Sequence, residues 1–109
     1  VRIVGVEPAS SPLLSQGKAG PHGLQGIGAN FIPDTLDQTI YDEIITVTEE
    51  DAYKAGRMMA EKEGLLVGIT SGAALWAAIK AGKAAGKDGN VVAFLPDTGE
   101  RYLSTPMFE

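Results

Sequence analysis

Two spacings of apolar residues alternate along the chain: short β-branched runs, and longer stretches in which apolar positions recur every three or four residues. Val1-Arg2-Ile3-Val4-Gly5-Val6 is a run of the first kind. It ends at Glu7-Pro8, where the proline confines the preceding residue to extended backbone, so a buried strand is predicted over Val1 to Val6. Ser10 to Ser15 can hold a short helix with Pro12 in its first turn, running out at Gln16-Gly17. Glu43-Ile44-Ile45-Thr46-Val47 predicts a second strand. Thr48 then offers a cap, and Glu49, Glu50 and Asp51 fill a first helical turn, where the helix dipole favours negative charge. That helix continues through Ala52, Ala55, Met59 and Ala60 and stops at Gly64, with Gly56 weakening it slightly. Leu65 to Ile69 predicts a third strand. Ser71 to about Ala85 predicts a second helix with Leu75, Ala78 and Ile79 on one face, closed by Gly86. Asn90 to Leu95 predicts a fourth strand, and Pro96 to Tyr102 turns off its end. Such alternation implies the α/β class: a mostly parallel sheet, right-handed crossovers and flanking helices.

One segment stands outside this rhythm. Gly17 to Asp34 is long, polar and rich in glycine, and a loop of that length in a compact domain is usually functional or disordered. Leu24, Ile27, Phe31 and Ile32, interleaved through it, favour an ordered loop. The chain has 109 residues, 44% of them hydrophobic, which suits one small globular domain. Net charge is −5 and the nine Lys and Arg residues are scattered, so no basic groove for nucleic acid is expected. No apolar run approaches the roughly 20 residues needed to span a bilayer, and no membrane partner is expected. The absence of cysteine excludes disulfide bracing and thiolate metal sites, and is compatible with a reducing cytosol. A strand already under way at Val1, with no initiator Met, is expected to begin inside a longer protein.

The candidate chemistry concentrates in Gly68-Ile69-Thr70-Ser71-Gly72-Ala73-Ala74, a hydroxyl pair where a predicted strand hands over to a helix. Open α/β sheets usually bind ligands at such junctions. Several specific chemistries fail elsewhere in the chain. Gly26-Ile27-Gly28 has two glycines of a dinucleotide fingerprint, but Phe31 stands where the third belongs and no strand immediately precedes it. Gly17-Lys18-Ala19, Gly82-Lys83-Ala84 and Gly86-Lys87-Asp88 each lack the hydroxyl that completes a phosphate loop. Gly68-Ile69-Thr70-Ser71-Gly72 approaches a nucleophile elbow, yet the single histidine, His22, precedes it, the reverse of the order in that fold. With one histidine and no cysteine, no metal site is expected. From pattern alone, Thr70 and Ser71 can equally cap the helix or bind a ligand.

Across essentially its whole length the chain resembles the C-terminal part of the cysteine synthases, the O-acetylserine sulfhydrylase branch of the fold-type II pyridoxal-phosphate enzymes. The landmarks are Val4-Gly5-Val6-Glu7-Pro8, Gly20-Pro21-His22, Gln25-Gly26-Ile27-Gly28-Ala29, Phe31-Ile32-Pro33 and Glu63-Gly64. Gly68 to Ala74, Leu95-Pro96 and Gly99-Glu100-Arg101-Tyr102-Leu103-Ser104-Thr105 complete them. The Gln-Gly-Ile-Gly-Ala segment and the Gly-Glu-Arg-Tyr-Leu-Ser-Thr ending favour cysteine synthases over their cystathionine β-synthase relatives.

The resemblance implies that residues 1–109 are the C-terminal part of a large, pyridoxal 5'-phosphate-binding domain of the tryptophan-synthase-β-like type. It assigns Thr70 to the pyridine nitrogen of the cofactor, in a position where the family carries Ser; the hydroxyl is kept and a methyl added. Ser71 then becomes a residue of the helix start. It further implies that Gly26 lines the active-site wall, that Pro96 lies near the pyridine edge, and that Gly28 and Ala29 border the cleft for substrate or anions. The reaction implied is β-replacement of O-acetyl-L-serine with sulfide to give L-cysteine and acetate. A phosphoserine sulfhydrylase, a cystathionine β-synthase-like enzyme, or a noncatalytic module binding serine acetyltransferase are the alternatives. The family's Schiff-base lysine and phosphate loop precede the equivalent of Val1. None of Lys18, Lys54, Lys62, Lys80, Lys83 or Lys87 sits in a matching context, so the segment alone is expected to be inert. A cytoplasmic homodimer, with serine acetyltransferase as a possible partner, is the implied setting.

Overall fold

The computed structural model describes residues 1–108. Strands β1 (Val4–Pro8) and β2 (Glu43–Val47) pair in parallel, with Val4 opposite Glu43 and Pro8 opposite Val47. The connection between them holds the short helix α1 (Leu13–Gln16) and the glycine-rich loop; helices α2 (Glu49–Glu63) and α3 (Ile69–Ala85) follow β2. Two 3-10 turns, Glu100–Tyr102 and Pro106–Phe108, end the described chain.

Local chemistry fixes the ends of α2. The Thr48 hydroxyl accepts a hydrogen bond from the Asp51 N–H at 3.1 Å, three acids occupy the first turn, and Gly64 closes the helix in the left-handed conformation, φ 70°. The core then forms between α2, α3 and the sheet. Val47, Ala52, Ile69, Ala73 and Ala77 pack with Leu24 from the loop and with Tyr102 and Met107 from the C-terminal turns. Small residues let the two helices approach closely. A Cβ on Gly72 would stand 2.2 Å from the Ala52 carbonyl oxygen, so any side chain there would drive α2 from α3.

The sheet is smaller than the sequence pattern predicts. The first strand begins at Val4 rather than Val1 and runs on to Pro8. Residues 65–69 form no strand: Val67 makes a single antiparallel bridge to Thr98, and α3 starts at Ile69, two residues before Ser71. Asn90 to Leu95 also forms no strand, although its composition suits one. The cause is the want of a partner. Among the described residues β1 pairs only with β2. Its outer face and residues 90–94 line a groove of about 650 Å³ floored by the alanines of α3, and Val92 and Phe94 are 84% and 85% exposed. A strand is stable only when its backbone groups are paired, and here nothing lies between the two segments to pair them.

Candidate functional site

At the start of α3 the structure separates two hydroxyls that sequence pattern left equivalent. Ser71 is fully buried, and its Oγ donates to Asp97 Oδ1 at 2.9 Å while lying 3.3 Å from the Asp97 carbonyl oxygen. Thr70 is only 7% exposed, yet no hydrogen bond among the described residues engages its hydroxyl. Neither residue caps the helix: Gly68 holds that position, with no side-chain cap. The hydroxyl is not sealed off, since among the described residues only Trp76 Nε1 is a buried side-chain polar atom without a partner; Thr70 therefore presents an unbonded hydroxyl that solvent or a ligand can reach.

Gly26 faces it. The backbone there is left-handed, φ 103°, and a Cβ would stand 3.7 Å from both Cγ2 and Oγ1 of Thr70. Bare main chain therefore borders the hydroxyl. On its other side Gly26 joins Gly28, Ala29 and Glu7 in lining a cavity of about 260 Å³. Gly28 cannot be replaced without disturbance, because its φ is 62° and a Cβ would meet His22 Nε2 and Pro8 Cγ, each at 2.6 Å.

Two residues that the sequence reading did not assign hold this loop. His22 Nδ1 accepts from the Leu24 N–H at 3.1 Å, so the proton resides on Nε2, which donates to the Gly28 carbonyl at 2.6 Å. These partners assign the ring hydrogen to Nε2 and the acceptor role to Nδ1. Glu7, 3% exposed at the end of β1, accepts from the backbone N–H of Leu14 at 2.8 Å and of Ser15 at 2.9 Å. That pins α1 against the strand end, and an acid placed between a strand and a short helix was the available signal.

Pro96 is exposed, but its neighbour ties it to the helix start. The Gly68 N–H donates to the Asp97 carbonyl at 3.2 Å, and the Gly99 N–H donates to the Leu66 carbonyl at 3.0 Å. Tyr102 donates its phenol to Asp97 Oδ2 at 2.8 Å; that hydrogen bond, and then burial, raise the phenol above its ordinary pKa of 10.0. The structure thus groups Thr70 with Gly26, groups Gly26 with Gly28 and Ala29, and links Pro96 to Thr70 through Asp97. All six lysines are exposed. Lys54 and Lys80 lie about 6 Å from the Trp76 ring centroid instead of beside Thr70. Among the described residues no group of His, Asp and Glu could hold a metal ion, and no helix is long and apolar enough to cross a membrane.

The donor set fits an aromatic nitrogen heterocycle. A neutral hydroxyl can donate to a ring nitrogen, and the half-buried carboxylate of Asp97, beside the same helix start, already has both oxygens engaged.

Comparison with known proteins gives this geometry a family. The profile of the family described as pyridoxal-phosphate dependent enzyme matches residues 1–97. A cysteine synthase of Staphylococcus aureus (strain N315) is 54% identical over 108 residues, 99% of this chain and 35% of the relative. Among solved structures, the cysteine synthase of Entamoeba histolytica superposes with a TM-score of 0.91 at 41% identity, covering 99% of this chain and 32% of that one. The O-acetylserine dependent cystathionine β-synthase of Helicobacter pylori also gives 0.91, at 38% identity over all of this chain and 35% of its own. The α/β arrangement of parallel strands and packed helices is therefore the fold of these enzymes. This chain spans about a third of the length of the curated relatives it matches.

Proposed function

The chain belongs to the pyridoxal-phosphate dependent enzymes, and on that premise we propose that it forms the C-terminal part of the cofactor-binding large domain of a cysteine synthase. The reaction is replacement of the acetate of O-acetyl-L-serine by sulfide. One observation carries the assignment of the site: the hydroxyl of a nearly buried Thr70, without a hydrogen bond among the described residues and still accessible, bordered by the bare backbone of Gly26. The choice of substrate rests on the likeness to cysteine synthases.

Pyridoxal phosphate, when bound, supplies an electron sink for loss of a group from the β carbon of an amino acid. Thr70 would hold the ring nitrogen by donating its hydroxyl hydrogen to it. A neutral hydroxyl at that position would hold a proton on the ring far less firmly than a carboxylate, leaving the group to supply its β-elimination chemistry without a charged partner. Pro96 would lie near the pyridine edge. Gly26 offers main chain to the amino group, and Gly28 and Ala29 border the cleft through which anions pass. His22 keeps that wall in place by its bonds to Leu24 and Gly28.

Support for the domain reading comes from the groove between β1, which among the described residues pairs on one side only, and residues 90–94, which form no strand. In the longer relatives there is further chain to fill such a gap. The lysine that bonds the cofactor and the phosphate loop belong, on this reading, outside these 109 residues, and the segment by itself is inert. A cytoplasmic homodimer able to bind serine acetyltransferase belongs to the same reading.

The test is cysteine formation by the full-length enzyme carrying this segment. O-acetyl-L-serine with sulfide should be turned over well ahead of O-phospho-L-serine or of homocysteine as acceptor. Equal or faster turnover of phosphoserine would replace the proposed substrate, and preference for homocysteine would move the enzyme to the cystathionine-forming class.

A further inference from the structure

We propose that Asp97 is a positioning residue of the cofactor site: it locks the first turn of α3 to the segment that follows Leu95, and so sets the direction of the Thr70 hydroxyl. This inference rests on the reading of Thr70 given above.

The geometry is specific. Both carboxylate oxygens of Asp97 are engaged, each by a hydroxyl from a different element: Ser71 of α3 gives to Oδ1 at 2.9 Å, and Tyr102 of the 3-10 turn gives to Oδ2 at 2.8 Å. The main chain of the same residue closes the clamp, since its carbonyl accepts from the Gly68 N–H at 3.2 Å and its own N–H points to Ser71 Oγ at 3.4 Å. The carboxylate lies so close to the helix start that a Cβ on Gly68 would fall 2.0 Å from Oδ1. Gly68 is therefore glycine because Asp97 occupies that space.

Thr70 lies between the two clamped positions. Gly68 and Ser71 are both bound to Asp97, while Thr70 makes no side-chain bond of its own. Its orientation is then inherited from its neighbours through the backbone of one helical turn. A carboxylate also suits this place electrostatically, because the first-turn N–H groups of α3 carry partial positive charge and have no side-chain cap. Asp97 thereby does two things at once. Its carbonyl accepts the Gly68 N–H at the helix start, and it joins Pro96 and Thr70, the two residues assigned to the cofactor ring, into one rigid unit.

The experiment uses the full-length holoenzyme and reads the bound cofactor directly: its absorption and fluorescence spectra and its dissociation constant for pyridoxal phosphate. Small displacements of a positioned group have large effects, so Asp97→Ala should weaken cofactor binding on the order of tenfold or more and shift the spectrum. Asp97→Asn keeps an acceptor for one hydroxyl and should recover part of both effects. If Asp97→Ala does not fold, Ser71→Ala and Tyr102→Phe, each removing one arm of the clamp, carry the same expectation at smaller size. The decisive comparison is a double-mutant cycle with Thr70→Ala. Acting through Thr70, Asp97→Asn should change the spectrum in the Thr70 enzyme and leave it unchanged once Thr70 is Ala. Equal spectral effects of Asp97→Asn in the two backgrounds would overturn the inference and leave Asp97 with a structural role only. If Thr70→Ala itself left the spectrum unchanged, the reading of Thr70 would fail. If Thr70→Ala changed it but the Asp97, Ser71 and Tyr102 variants did not, the positioning inference alone would fail.

Discussion

Replacing Gly28 by Ala tests whether the loop that borders the cleft is built as described. Two separate costs fall on that one methyl. The backbone at residue 28 is left-handed, φ 62°, which costs an Ala about 1–2 kcal/mol. The methyl would also stand 2.6 Å from His22 Nε2 and from Pro8 Cγ, and 2.8 Å from Pro8 Cδ. Neither neighbour yields freely: Pro8 is fully buried at the end of β1, and His22 is held by Leu24 and by the Gly28 carbonyl itself. Forcing such contacts costs about 1–3 kcal/mol more. The sum is a loss of about 2–5 kcal/mol. Gly17 provides the control, because its φ is 73° but a Cβ there meets nothing within 4 Å. Gly17→Ala should therefore lose only the backbone part, about 1–2 kcal/mol. Urea unfolding followed by far-ultraviolet circular dichroism gives both numbers by linear extrapolation. Equal losses in the two variants would refute the packing of Gly28 against Pro8 and His22.

Other consequences follow from single contacts. Met107 is fully buried between α2 and the C-terminal turns, so Met107→Ala should lower stability by about 2–5 kcal/mol in the same urea assay. The raised pKa of Tyr102 makes its contribution to stability fully present below the unfolded phenol's value, near 10.0, and lost as pH climbs through the higher folded value. Unfolding midpoints measured from pH 8 upward should thus fall less steeply above about pH 10 in Tyr102→Phe than in the parent, while the variant starts lower at pH 8 because Asp97 Oδ2 loses its donor.

Elements governed by neighbours in sequence were legible before any coordinates. The start of α2 at Thr48 and its stop at Gly64 depend on groups three or four residues apart, and both formed where expected. So did β2, whose apolar run is bounded on each side. Asn90 to Leu95 reads as a strand for sound reasons of composition, but a strand is a relation between two segments, and none of the described residues pairs with it. The candidate site divides in the same way. The hydroxyl pair and the glycine-rich loop were visible as motifs. Which hydroxyl was free was not, because that depends on Asp97, 26 residues beyond Ser71. Likewise nothing local to His22 says that it braces Gly28, and nothing local to Glu7 says that it holds α1.

The central claim is that the Thr70 hydroxyl holds the ring nitrogen of the cofactor. The most direct measurement is the 15N chemical shift of that nitrogen in the full-length enzyme loaded with ring-labelled pyridoxal phosphate. The shift should be that of a hydrogen-bonded but unprotonated pyridine, move toward the free pyridine value in Thr70→Ala, and return in Thr70→Ser. A protonated nitrogen in the parent enzyme, or a shift indifferent to Thr70→Ala, would contradict the account.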